Sequence, residues 1–217
     1  MGYNAMSGRE RMNLFAVSGN LRRFGGRLGF LVGSVCVVGL AVSNVHAGSE
    51  EKMPSPRFAT FLARMLTYDS NLKKRAGEKL TIAVLYDGKS PASTAQGTDL
   101  GTALKNLELV RILDLPVETL GIAITDASEL DRAVQTAGLD AIVVCDGLEK
   151  QTALIRKVSE KGKLITIGTS SSQVRAGLSI AVYLENGRSK ILVNLPASRN
   201  EGVAFCGELL GLAEVIQ

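Results

Sequence analysis

Histidine is nearly absent. The 217 residues hold one, His46, and it falls in a segment that reads as a removable leader. Without it the remaining chain has no Ser–His or Cys–His nucleophile system, no His-ligated zinc and no imidazole general base. Tryptophan is missing and aromatics make up 5% of the chain. The core must therefore rest on Val, Ile, Leu and Ala, the composition of a parallel sheet covered by helices. No Gly-x-Gly-x-x-Gly follows an apolar run. Gly88-Lys89-Ser90 ends like a phosphate loop, but the glycine that should stand five residues upstream is Ala83. Excess charge is also missing from most of the chain. The formal charge is +4, yet residues 1–47 hold five arginines (Arg9, Arg11, Arg22, Arg23 and Arg27) against Glu10. Beyond them Lys plus Arg falls from 25 to 20 and Asp plus Glu from 21 to 20. A neutral domain has no strong field to gather nucleic acid.

What is present begins with that leader. Arg22, Arg23 and Arg27 precede an uncharged run from Leu28 to Val42, followed by Val45-x-Ala47. A basic region, a short apolar region and small residues at −3 and −1 are the parts of a secretory signal peptide. The run is shorter than the roughly 20 apolar residues a membrane span needs. Cleavage is expected between Ala47 and Gly48, releasing a soluble mature chain. Cys36 lies mid-run rather than at the end, which argues against a lipoprotein. Met6 and Met12 stand beside Met1 as starts.

Residues 48–56 are polar and read as a short tail, leaving 57–217 as one α/β domain. Phe58, Leu62, Met65, Leu66 and Leu72 recur at helical spacing and predict a helix over 57–76, stopped by Gly77. Leu80 to Tyr86, Ala141 to Cys145 and Leu164 to Ile167 read as buried strands, each followed by a helical stretch. Between the first two, Val110 to Leu113 and Gly121 to Thr125 supply one or two more strands, and a capped helix starts at Asp126. Strand–helix repetition at this spacing implies a doubly wound, mainly parallel sheet with helices on both faces. Then Leu178 to Leu184 and Lys190 to Leu195 flank Asn186-Gly187, a hairpin signal. A last helix is expected from about Ser198 through Val215.

Asp87 and Asp146 follow strand ends, where doubly wound sheets take ligands. Ser170 and Ser171 occupy the same edge after a third strand. These four are the candidate ligand-binding residues. The alternative is that the aspartates close turns and a serine caps a helix. Cys145 and Cys206 outlast the leader into an oxidising compartment, where a disulfide and two free thiols both fit the sequence. No metal cluster and no cofactor motif is legible.

The segment Ser179 to Ile216 carries a resemblance. An apolar strand, Gly187-Arg188, a strand ending in Val193-Asn194-Leu195, then Ala197, Gly202, Leu209, Leu210, Leu212, Ala213, Val215 and Ile216 resemble the signature of the YfiR-like family of periplasmic proteins. Upstream, Leu80 to Tyr86, Ala141 to Cys145 and Leu164 to Ser170 fall where that family has core strands. The resemblance implies a non-enzymatic periplasmic regulator that binds an inner-membrane sensor or signalling protein, a diguanylate cyclase in cyclic-di-GMP signalling for its best-known members. It also implies redox control through paired disulfides in some members, which two cysteines cannot form. An aromatic segment common near the family's first helix is replaced by Leu66-Thr67-Tyr68-Asp69. Asn194 and Gly187 read as fold determinants, one tying the last helix and the other supplying a turn with positive φ.

Two functional expectations follow. A regulator that works by protein contact needs an exposed apolar patch, for which Phe58, Phe61 and Met65 on the first helix are the candidates if that helix is not wholly packed on the sheet. A small-ligand receptor resembling one lobe of a solute-binding protein needs a polar pocket near Asp87, Asp146 and Ser170. Homo-oligomer formation stays open.

Overall fold

The strand Leu80–Asp87 explains the architecture. Leu80, Ile82 and Val84 belong to one buried cluster, while Ala83 and Leu85 belong to another. A strand with both faces buried must sit inside a sheet covered on two sides. Ala141–Val144 repeats the pattern, with Ala141 and Val143 on one face and Ile142 and Val144 on the other. The computed structural model describes residues 49–106, 111–125 and 127–217. The leader, its cleavage site at Ala47 and Gly48, Cys36 and His46 lie outside them.

The elements run β1 (Glu50–Glu51), α1 (Ser55–Leu66), α2 (Leu72–Ala76), β2 (Leu80–Asp87), α3 (Pro91–Lys105), β3 (Val117–Ile124), α4 (Ala127–Ala137), β4 (Ala141–Val144), α5 (Thr152–Gly162), β5 (Ile165–Gly168), α6 (Ser171–Arg175), β6 (Ile180–Glu185), β7 (Arg188–Asn194), α7 (Leu195–Asn200), α8 (Gly207–Leu212) and β8 (Glu214–Ile216). The sheet order is β3-β2-β4-β5-β6-β7-β8, parallel from β3 to β6, with β7 antiparallel to β6 and β8 parallel to β7. Helices α1 and α3 put Phe58, Leu62, Leu100 and Leu104 against one face. Leu130 of α4, Ile155 of α5 and Val174 of α6 cover the other. The doubly wound, mainly parallel sheet expected from the sequence is therefore present, with its hairpin. Asn186 and Gly187 have φ of 51° and 71°, the left-handed pair that a two-residue turn between twisted strands requires.

Two predicted helices are broken. The first is α1 and α2, parted at Asp69, whose buried carboxylate accepts from the backbone N–H groups of Asn71 at 3.0 Å and Ala204 at 2.9 Å. Those bonds hold the chain against Phe205, which bridges Asp69, so a continuous helix could not form. The last is α7, α8 and strand β8. Gly202 turns the chain with φ 76°, and Val215 and Ile216, β-branched, extend along β7. Asn194 caps α7, its Oδ1 accepting from Ala197 N–H at 3.1 Å. Behind α7 lies the buried Glu201 carboxylate, which accepts from Ser159 Oγ, Thr166 Oγ1, Thr166 N–H and Ser179 Oγ. Burial pushes its pKa up against those bonds.

Candidate functional site

The chain winds from β2 to β3 in one direction and from β4 through β6 in the other. Between β2 and β4, neighbouring crossovers leave on opposite sides, and a crevice opens at the carboxyl ends of the strands. The end of β2 places Asp87 there, the end of β4 places Cys145 and Asp146, and the end of β5 places Thr169. The first turns of α3 bring Ser93 and Gln96 across the gap. Ser93 Oγ accepts from Asp87 N–H at 2.9 Å and donates to the Asp146 carbonyl at 2.6 Å. Gln96 Oε1 accepts from Asp146 N–H at 3.0 Å. Thr169 Oγ1 donates to Asp146 Oδ1 at 2.8 Å. Gln173 of α6 reaches back, Nε2 donating to the carbonyls of Val144 and Cys145 and Oε1 accepting from the N–H groups of Thr169 and Ser170. The crevice floor is thus a closed set of hydrogen bonds, rigid because both partners of each are spoken for.

Asp146 and Ser170 line one cavity of about 370 Å³ with Glu50, Glu51, Lys52, Glu149, Thr169 and Ser172. Ser171 joins through Glu50, whose carboxylate accepts from Ser171 N–H at 2.8 Å and Oγ at 2.6 Å. Ser170 caps α6 in a reciprocal arrangement with Gln173. Asp87 does not line the cavity; its Oδ1 accepts from Lys89 N–H at 2.9 Å and closes the turn after β2. Lys89 reaches the Thr125 carbonyl and Ser90 caps α3, so Gly88-Lys89-Ser90 is a turn and a helix start. Ser93, the buried hydroxyl here, is committed to backbone groups on both sides rather than to a base. Among the described residues, no group of three or more His, Cys, Asp or Glu side chains is placed to hold a metal ion.

A second feature lies where α1 and α8 meet β7. Phe61 and Met65 of α1, Ile191 of β7, and Leu209 and Leu212 of α8 line a groove of about 250 Å³ with Arg64, Tyr68 and Glu208. It adjoins another, of about 520 Å³, that shares Phe61, Ile191 and Leu212. Leu212 is 68% exposed, the one large apolar side chain so open among the described residues. Of the three residues expected to meet a partner, Phe58 and Met65 are withdrawn into the core at 1% and 3% exposure. Their helix packs that face on the sheet. Phe61 remains at the surface, half-buried under Arg57, whose guanidinium lies 5.9 Å from the ring centre. Cys145 and Cys206 are free thiols. Burial, aided by the adjacent Asp146 carboxylate, pushes the Cys145 thiol up to about 12. No helix among the described residues is long and apolar enough to cross a membrane.

Sequence reasoning missed Glu50 and Lys52, which sit in a stretch read as a tail, and Gln96, which reaches from α3 across the gap between β2 and β4 to Asp146 N–H. Gln173 was legible: Ser170-x-x-Gln173 is a capping signature. Residues 59–214 match a family model described as YfiR/HmsC-like. Among curated proteins, none matches this sequence. Two solved structures share the fold. One, the ABC domain in complex with L-Trp from Streptococcus pneumonia, is 15% identical with a TM-score of 0.53, over 75% of this chain and 62% of that one. The other, a conserved domain protein from Vibrio cholerae O1 biovar eltor, is 12% identical with a TM-score of 0.56, over 78% and 62%. The chain therefore spans less than two thirds of either.

Proposed function

The chain belongs to the YfiR/HmsC-like family, and from that premise we propose that it is an exported periplasmic regulator acting by contact with a membrane-bound signalling protein. A diguanylate cyclase is the partner class that the family resemblance implies. The leader is removed between Ala47 and Gly48, and the domain that follows carries the function. The observation behind this reading is the groove of Phe61, Ile191 and Leu212. An apolar side chain exposed to that degree beside an apolar groove is what a partner covers. The rim, with Arg64, Lys190, Glu208 and Glu214, mixes both signs, as interface rims do.

The test is recovery of membrane proteins from solubilised inner membranes by wild type, Phe61→Asp and Leu212→Asp. Leu212 is open to solvent, so its substitution leaves the folded state intact while placing a charge in the contact. Wild type recovers a signalling protein and Leu212→Asp at least tenfold less. Recovery of none by wild type ends the reading. A second reading, a receptor for a small polar ligand, is favoured by the cavity at Asp146. Calorimetry against periplasmic extracts, repeated with Asp146→Ala, decides it: only a receptor gives a heat that the substitution removes.

A further inference from the structure

Four charged side chains line the two adjoining cavities between α1, β7 and the end of α8: Arg64, Lys190, Glu208 and Glu214. Two of them are already engaged. Lys190 Nζ lies 3.7 Å from Glu185 Oε2, and Arg175 Nη2 donates to Glu214 Oε1 at 2.9 Å. Arg57, the other cation nearby, donates to Ser189 Oγ at 2.8 Å and lies over Phe61. Arg64 and Glu208 are uncommitted. Both are exposed, both line the cavity of about 250 Å³, and neither side chain has an ion pair or hydrogen bond among the described residues. One stands on α1 and the other on α8, so opposite charges look into one groove from its two walls without meeting. The groove also has a direction. Phe61, Met65 and Tyr68 line it at spacings of four and three along α1 and the turn after it, and Leu209 and Leu212 at a spacing of three along α8. Side chains so spaced form rows along a helix, and the row on α1 runs for roughly 10 Å. A furrow between two helical rows is the surface into which a third helix packs its own ridge.

We propose that the occupant of this groove is an amphipathic helix of the membrane partner, with an apolar stripe between Phe61 and Leu212 and flanks of opposite charge: Asp or Glu toward Arg64, Lys or Arg toward Glu208. The inference rests on the reading of this groove as the contact surface, and adds the form and charge of what enters it. A partner that covers Phe61 and Leu212 must take water from Arg64 and Glu208 as well, and a charge desolvated without a counter-charge is costly. A helix with one sign on both flanks satisfies one wall and opposes the other. An apolar stripe with mixed flanks satisfies both and keeps its ridge in the furrow. Because the two charges sit on different walls, they also set the direction in which the helix runs. Turned end for end, it would put like charge against like at each wall.

The test measures binding of three fluorescein-labelled, alanine-rich helical peptides to the exported protein. All carry one stripe of Leu; the first has Glu on one flank and Lys on the other, the second Glu on both, the third Lys on both. Wild type binds the mixed peptide about threefold or more above either of the others, the scale of one exposed ion pair gained or lost, and the margin shrinks as salt is added. Arg64→Glu, with two acidic walls, binds the Lys-flanked peptide best, and Glu208→Lys the Glu-flanked one. Both side chains are exposed, so the fold tolerates either change. Leu212→Asp loses all three peptides. The same order of preference in wild type and both charge variants, no peptide bound by any form, undiminished binding to Leu212→Asp, or a wild-type dimer that Leu212→Asp dissolves would each overturn the proposal. Its failure is distinguishable from failure of the contact reading. Membrane recovery that depends on Leu212 with no peptide bound removes the helix and keeps the contact, whereas selective peptide binding with no membrane protein recovered keeps the helix site and removes the membrane partner.

Discussion

Arg75 Nη2 meets Asp69 Oδ2 at 2.5 Å, with the aspartate side chain fully buried and the arginine 12% exposed. The same carboxylate accepts from Asn71 and Ala204 N–H, and the same guanidinium donates to the Lys163 carbonyl at 2.7 Å. One ion pair thus joins the α1–α2 corner, the end of α5 and the chain between α7 and α8. Removing one member of a buried pair leaves the other charged and unpaired, which costs more than the pair contributes. Asp69→Ala should lose about 3–5 kcal/mol in urea unfolding, and Arg75→Met less, because Asp69 keeps its two backbone donors.

Glu201 gives the fold a pH dependence. Its carboxyl is raised above the ordinary 4.5 by burial, so the folded state holds a proton that the unfolded state has released. Between about 4.5 and the raised value, stability falls as pH rises. It is greatest below the unfolded pKa, and the contribution is gone above the folded one. Asp140, raised by burial and held by Thr81 N–H, adds a slope of the same sign. Unfolding free energies from pH 4 upward should decline in wild type and decline less in Glu201→Gln. A wild type whose stability is level through that window, or climbs, would contradict the assignment.

The thiols differ in reactivity. Cys145 is buried with its pKa pushed up to about 12, while Cys206 is half-exposed at the start of α8. A thiol that stays protonated and inaccessible is inert toward alkylating and disulfide reagents. Protein beginning at Gly48 should react at one cysteine when native and at both when denatured, with no change in melting temperature on adding reductant. A reductant-dependent melting temperature would show a disulfide instead.

How much of this was legible follows the reach of each interaction. The runs at Leu80, Ala141 and Leu164 declare buried strands, because two-faced burial is written in consecutive residues, and Asn186-Gly187 declares its turn. The break at Asp69 was hidden. Its cause is Ala204, 135 residues away, and local periodicity reads Leu72 as continuing the helix. The same distance hides Glu50: nothing in its neighbourhood announces Ser171. Asp146 and Ser170 were legible as candidates because strand ends are where the fold opens, whereas Asp87, at an equivalent end, turned to its own backbone. Phe58 and Met65 are buried, because an amphipathic stripe gives a buried face and not its width; Phe61 falls at the margin.

Helix α3 offers a test in which one substitution has opposite signs four residues apart. Gly97 is buried where the helix crosses β2, and a Cβ there would lie 2.5 Å from Tyr86 Cδ1 and 2.9 Å from its Cβ. Tyr86 is itself wedged against the core and its Cβ moves only with the strand, so helix and sheet must separate. Gly97→Ala should therefore cost about 1–3 kcal/mol, the penalty of overpacking. Gly101 is one turn on, and a Cβ there meets nothing within 4 Å. Alanine at that position removes the entropy a helical glycine loses on folding and should add about 0.5–1 kcal/mol. Chemical denaturation of the two variants checks the difference. If both substitutions stabilised the protein, α3 would not lie against Tyr86, and the switch-point crevice that Ser93 and Gln96 help to build would have to be placed elsewhere.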